Sequence, residues 1–259
     1  MSRITRTFNK LRREGRKAFI PYIMAGDPSL TRTKKLVKLL EECGADIVEL
    51  GVPFSDPLAD GPTIQAAADR ALKKGVTLKD VIATVKELRK TTEIPIVLMT
   101  YYNPVYKYGD ERFVRDATRA GVDGVIVPDL PPDEAKGLRS VAKKHGLDTI
   151  FLLAPTSTPD RLKLVSKAST GFIYYVSITG ITGSALRLDA SQKKSIAAIK
   201  SLTNKPVALG FGVSSPKEAR AVAGFADGVI VGSAIVKTIK NSSEQEVRKF
   251  VSSLRAAIG

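Results

Sequence analysis

The chain has 259 residues, 43% of them apolar, and carries 41 basic against 26 acidic side chains, a formal charge of +15. This length and composition suit one well-cored α/β domain, and no run approaches the roughly 18 apolar residues of a membrane span. The single cysteine, Cys43, excludes an internal disulfide, and the opening Met1-Ser-Arg-Ile-Thr-Arg-Thr-Phe8 lacks an apolar signal core, so a reducing, cytoplasmic setting is expected.

Ile4, Phe8 and Leu11 recur at i, i+4 and i+7, one face of a helix. Residues 1–16 are therefore expected to form an extra helix and lead-in that covers one mouth of the fold. Eight short apolar runs follow: Ala18–Met24, Asp46–Leu50, Ile94–Met99, Gly124–Val127, Thr149–Leu153, Phe172–Val176, Val207–Leu209 and Gly228–Val231. Segments of helical period lie between them, such as Leu36, Val37, Leu39 and Leu40; Val81, Val85 and Leu88; and Leu138, Val141 and Ala142. Strands alternating with helices imply parallel βα units. Eight such units in a chain of this size predict a closed (β/α)8 TIM barrel. An open doubly wound sheet is the rival, but its glycine fingerprint after the first strand is replaced by Met24-Ala-Gly-Asp-Pro28. No linker or composition break divides the chain, so residues 1–259 are read as one domain. Cys43, at an apparent helix end, reads as a small packing residue.

Barrel chemistry gathers where strands end. The second run ends in Val48-Glu-Leu-Gly-Val-Pro-Phe-Ser-Asp-Pro-Leu-Ala-Asp-Gly-Pro62, with Glu49 near the strand's end and Asp56 and Asp60 in a loop stiffened by Pro53, Pro57 and Pro62. Ile47 and Glu49 share one strand face. If that face is the barrel interior, apolar surroundings raise the Glu49 pKa toward neutrality and suit it to proton transfer. Asp60, in a more polar setting, is expected to stay ionised and to take a different role. The last loops, containing Gly183, Gly210, Gly212, Gly232 and Ser233, are glycine-rich and hydroxyl-bearing, and a short helix starting near Ser233 would aim its N-terminus at a phosphate there. No lysine lies in the runs or at their ends, which argues against a Schiff-base aldolase. With the lone His145 near a helix C-terminus and no His or Cys cluster, no metal is expected. The positive charge is interleaved along helical segments and densest at Arg12–Lys17. It favours anionic partners in general, but no nucleic-acid motif accompanies it. A basic nucleic-acid module rests on charge alone, and neither a nucleic-acid nor a membrane partner is expected.

The stretch VELGVPFSDPLADGPTIQ, Val48–Gln65, resembles the signature of the tryptophan synthase alpha subunit family. Gly26-Asp-Pro28, Tyr102-Asn-Pro104, Asp129, Gly180-Ile-Thr-Gly183, Gly210-Phe-Gly212 and Gly232-Ser233 follow in the family's order and spacing along the whole chain. The resemblance implies retro-aldol cleavage of indole-3-glycerol phosphate to indole and glyceraldehyde 3-phosphate, with Glu49 and Asp60 as the catalytic pair. It places Tyr22, Thr100, Tyr102, Asp129 and Tyr174 at substrate positions, Gly183, Gly212, Gly232 and Ser233 at phosphate positions, and Thr182 in a lid. It implies no cofactor in this chain and a pyridoxal-phosphate beta subunit as partner, usually in an α2β2 tetramer. The acidic loop and Tyr101–Tyr108 resemble the family's contact surface. Two positions depart from the pattern: Ser177-Ile-Thr179 stands where many members carry an arginine, and Tyr22 replaces a common phenylalanine. A stand-alone lyase that needs no beta subunit would share both carboxylates, whereas a phosphosugar isomerase on a similar barrel would have no need of Asp60.

Overall fold

The computed structural model describes residues 1–176, 190–210 and 212–259. Nine strands run through them: β1 (Ala18–Met24), β2 (Val48–Gly51), β3 (Ile96–Met99), β4 (Gly124–Ile126), β5 (Asp148–Ile150), β6 (Leu152–Leu153), β7 (Ile173–Val176), β8 (Val207–Gly210) and β9 (Gly228–Val231). All pairings are parallel, in the order β5-β4-β3-β2-β1-β9-β8-β7-β6. β5 and β6 are two halves of one stave interrupted at Phe151. Hydrogen bonds span the interruption, from Thr170 N–H to the Thr149 carbonyl (2.8 Å) and from Tyr174 N–H to the Phe151 carbonyl (3.1 Å). Eight staves therefore close into the expected (β/α)8 barrel.

Strand starts differ from the apolar runs for chemical reasons. Asp46 does not extend β2, because its carboxylate accepts the Phe19 N–H (2.8 Å) and takes Arg255 at 2.8 Å. β3 starts after Pro95, which has no N–H to offer, while the Ile94 N–H turns to Thr92 Oγ1 (3.0 Å). Asp123 and Asp227 repeat the Asp46 device: they accept the Ile96 and Val207 N–H groups and pair with Arg89 (2.6 Å) and Lys200 (2.7 Å). The N-terminal end of the barrel is thus stitched by aspartates that each hold both a strand N–H and a cation.

Helix α1 (Arg3–Arg13) is capped by Ser2, whose Oγ accepts the Thr5 N–H. It buries Ile4, Phe8 and Leu11, the three residues of the predicted stripe. Phe8 packs on Phe172 with ring centroids 5.7 Å apart. A Cβ added to Gly124 or Gly171 would lie 3.0 or 3.2 Å from Ile4, so α1 sits directly on the N-terminal ends of β4 and β7. Phe8→Ala is expected to lower unfolding free energy by about 3–5 kcal/mol, seen in urea as a lower midpoint at unchanged slope.

The outer helices follow their apolar stripes. α2 (Leu30–Glu42) buries Leu36, Val37, Leu39 and Leu40 and ends on the buried Cys43, a packing residue as expected. α3 (Pro62–Leu72) starts with proline at its first turn, and α4 (Leu78–Leu88) is started by a Thr77–Asp80 capping box. In α7 (Lys136–His145), Leu138 and Ala142 are buried, Val141 is half-buried, and His145 is an exposed last residue before Gly146 at φ +75°.

Candidate active site

The C-terminal end of the barrel contrasts with the stitched N-terminal end. Tyr22 on β1 and Glu49 on β2 are register partners, so their side chains leave the sheet on one face. That face is the interior. Glu49 is 1% exposed, and its charge acts both on Tyr22 next door and on Tyr174 of the distant β7, which only a side chain inside the barrel can do. Both Glu49 carboxylate oxygens are buried with no hydrogen-bond partner. Burial first, and then the charge of Asp60, push this carboxyl up to about 8.

Two tyrosines wall this carboxyl by lying over glycines. A Cβ on Gly51 would fall 2.1 Å from the Tyr22 hydroxyl oxygen, and one on Gly210 would fall 2.3 Å from that of Tyr174. The absent side chains leave room for the two phenols, which are buried and pushed well above their ordinary range, chiefly by desolvation.

Asp60 is half-buried in the loop after β2. Its loop sequence predicts a polar setting. In the structure desolvation is the largest influence, and it raises the carboxyl to about 6 against an opposing hydrogen bond from the Tyr101 hydroxyl. The expected difference between the two carboxylates remains: near neutral pH Glu49 holds its proton and Asp60 does not. Asp56 lies outside the pair, exposed and bonded to Ser55 Oγ at 2.9 Å.

Tyr101 was missed by the sequence reading, and strand alternation could have found it. Val97 pairs with Glu49 and Met99 with Gly51, so β3 turns Val97 and Met99 inward, and a further step of two reaches Tyr101. The Tyr101 ring stacks on Phe54 (centroids 5.3 Å apart), and its hydroxyl accepts the Ala59 N–H at 3.0 Å while donating to Asp60. One side chain thereby fixes the acidic loop at three points. Thr100, expected at the substrate, falls on the outer face by the same alternation, fully buried, with its N–H on the Ile126 carbonyl. Met99 takes the inner position.

Tyr102 and Asp129 lie at the rim and bind each other. Tyr102 opens helix α5 (Tyr102–Tyr108), and its N–H donates to the exposed Asp129 carboxylate at 3.0 and 3.2 Å. Asp129 therefore caps that helix. On the other side of the mouth, α11 (Ser233–Asn241) starts where the sequence predicted a short helix, with Gly232 at its cap, no side-chain cap and no acid in its first turn. Its first N–H groups are open to an anion. Gly212, at φ +80°, lies in the neighbouring loop between β8 and the helix that starts at Pro216. Thr182 and Gly183 lie outside the described residues.

A closed barrel that desolvates one protonated carboxyl, keeps a second ionised, and sets an uncapped helix start beside them defines a (β/α)8-barrel enzyme of proton-transfer chemistry. Comparison with known proteins agrees over the whole chain. The family model described as "Tryptophan synthase alpha chain" matches residues 8–257. The tryptophan synthase alpha chain of Geobacter sulfurreducens is 52% identical over 263 residues, covering all of both chains. The crystal structure of tryptophan synthase subunit alpha from Legionella pneumophila superposes with a TM-score of 0.92 at 41% identity, covering 100% of this chain and 98% of that one. A chain of Mycobacterium tuberculosis tryptophan synthase gives 0.93 at 40% identity, covering 99% and 98%. The chain belongs to the tryptophan synthase alpha chain family, lyases of tryptophan biosynthesis.

Proposed function

We propose that this chain cleaves indole-3-glycerol phosphate to indole and glyceraldehyde 3-phosphate, with Glu49 and Asp60 as its catalytic pair. The observation that carries the proposal is the orphaned, desolvated Glu49 carboxyl, held near pKa 8, inside a barrel whose other acid stays ionised. The protonated Glu49 delivers its proton to C3 of the indole ring, giving an indoleninium cation. Asp60 accepts the ring N–H and stabilises the positive charge there. The Glu49 carboxylate then takes the proton of the adjacent glycerol hydroxyl. The carbon–carbon bond breaks, its electrons return to the ring, and the aldehyde leaves with Glu49 again protonated. Charge at the ring nitrogen peaks along this path, so the Asp60 contact favours the transition state over bound substrate.

Tyr22, Met99 and Tyr174 wall the ring, and Gly212, Gly232 and Ser233 hold the phosphate with the start of α11. Tyr102 and Asp129 act at the rim, through their mutual contact. Gly51→Ala is expected to displace the Tyr22 ring and raise KM for indole-3-glycerol phosphate by about tenfold, the order of 1.4 kcal/mol, with a circular dichroism spectrum like that of the parent.

The partner is a tryptophan synthase beta subunit, the source of the pyridoxal phosphate, in an α2β2 assembly. Leu58 and Tyr106, 92% and 70% exposed, stand on the two segments flanking the mouth and suit such a contact. The test is indole release from indole-3-glycerol phosphate with and without added beta subunit. Slow release alone and stimulation by the partner support the reading. High release alone with no stimulation favours a stand-alone lyase, and no release in either case sinks the reaction assigned here.

A further inference from the structure

Part of the +15 charge gathers at the end of the barrel away from Glu49. A cavity of about 830 Å³ opens at the N-terminal mouth, between α1, α7, α8 (Pro159–Ala168) and the loop before β8. Arg12, Arg139, Lys143, Lys167 and Lys205 all line it. Asp148 is the one acid on its wall; it is buried, and burial raises its carboxyl above the ordinary range.

Around the same end of the barrel, Arg89, Lys200 and Arg255 are each matched by an aspartate. The cations of the cavity are not. None of the five meets a carboxylate among the described residues. Arg12, Arg139 and Lys205 donate instead to the backbone carbonyls of Asn204, Pro132 and Ser166. Arg139 is further held over the Phe151 ring, with its guanidinium carbon 5.9 Å from the ring centre. Lys205 is partly buried, and desolvation lowers its ammonium pKa. A positive charge that is desolvated but not neutralised gains from an incoming anion more than an exposed one does. Five cations converge from four separate segments on a hollow large enough for a small molecule.

We propose that this cavity binds a multiply phosphorylated small molecule, its oligophosphate held by Arg12, Arg139, Lys143, Lys167 and Lys205. Five positive charges on one hollow match the several negative charges of two or three linked phosphoryl groups better than those of a single phosphate.

The test is calorimetric titration of the full chain with sodium triphosphate and with ATP at low salt. It uses the parent protein, Lys143→Glu with Lys167→Glu, and Ser233→Asp at the opposite mouth. Both ligands are expected to bind the parent. The double charge reversal is expected to weaken them at least tenfold with an unchanged circular dichroism spectrum, and Ser233→Asp is expected to leave them unaffected. Equal affinity for triphosphate and ATP means that the phosphates alone are read; tighter ATP binding means that the cavity also holds the nucleoside. Binding that ignores the double reversal, binding abolished by Ser233→Asp, or no binding at millimolar ligand each overturns the proposal.

Discussion

Glu49→Gln is expected to reduce indole formation by about 10²–10⁴-fold, the range that a positioned general acid–base group supplies, while the folded chain becomes no less stable. Glutamine matches the shape of the protonated carboxyl and has no proton to give or take. The two states of Glu49 also predict how stability depends on pH. Its folded pKa, about 8, lies above the ordinary 4.5. The folded state therefore keeps a proton that the unfolded state releases in between, so stability falls as pH rises through that window. The contribution of Glu49 is full below about 4.5 and gone above about 8. At about 1.4 kcal/mol per pKa unit, the order of magnitude is a few kcal/mol. Glutamine does not titrate, so the variant should gain on the parent from pH 5 to pH 9 and then hold a constant lead. Urea melts of both proteins across that range, beside indole assays, check the claim. Parental turnover in the variant removes Glu49 from the mechanism, and a pH-independent stability difference removes the buried carboxyl.

The parts of this site that follow strand period were legible in the sequence. Ile47 and Glu49 share a face by simple alternation, and the Ile4, Phe8, Leu11 stripe set down a helix that is buried where it was expected. A continuous apolar run does not show where a ladder breaks. Nothing in Thr149-Ile-Phe-Leu-Leu153 marks Phe151 as the interruption between β5 and β6, because every residue there is buried or nearly so. Adjacent tyrosines posed the same difficulty at higher stakes. Tyr101 and Tyr102 are chemically identical, and a one-residue change of frame decides which enters the barrel. Register with Gly51 settles it for Tyr101 and moves Thr100 outward. Electrostatic environment was legible only where the backbone dictated it: Glu49 is desolvated because a barrel strand holds it, whereas the burial of Asp60 depends on a loop folded back onto Tyr101.

That loop leads to the second large effect, at Asp60. Asp60→Asn is expected to lower kcat/KM by about 10²–10³-fold, the scale of losing one preorganised group at a developing charge. The parent should show a bell-shaped pH profile. Asp60 works as the anion, and its folded pKa is raised to about 6, so activity is lost as pH falls through that value. Glu49 works as the acid, so activity is lost as pH rises through about 8. The two limbs are linked, since the Asp60 charge disfavours ionisation of Glu49. Asp60→Asn should remove the acid limb along with the rate. Tyr101→Phe separates position from charge: it deletes the hydroxyl that favours ionised Asp60 and pins the Ala59 N–H, so the acid limb should move upward. Its rate deficit should therefore be larger at pH 6 than at pH 7.5. A purely structural loss would lower the two rates in equal proportion, and a parental profile flat from pH 5 to 9 would leave neither carboxylate in its assigned role.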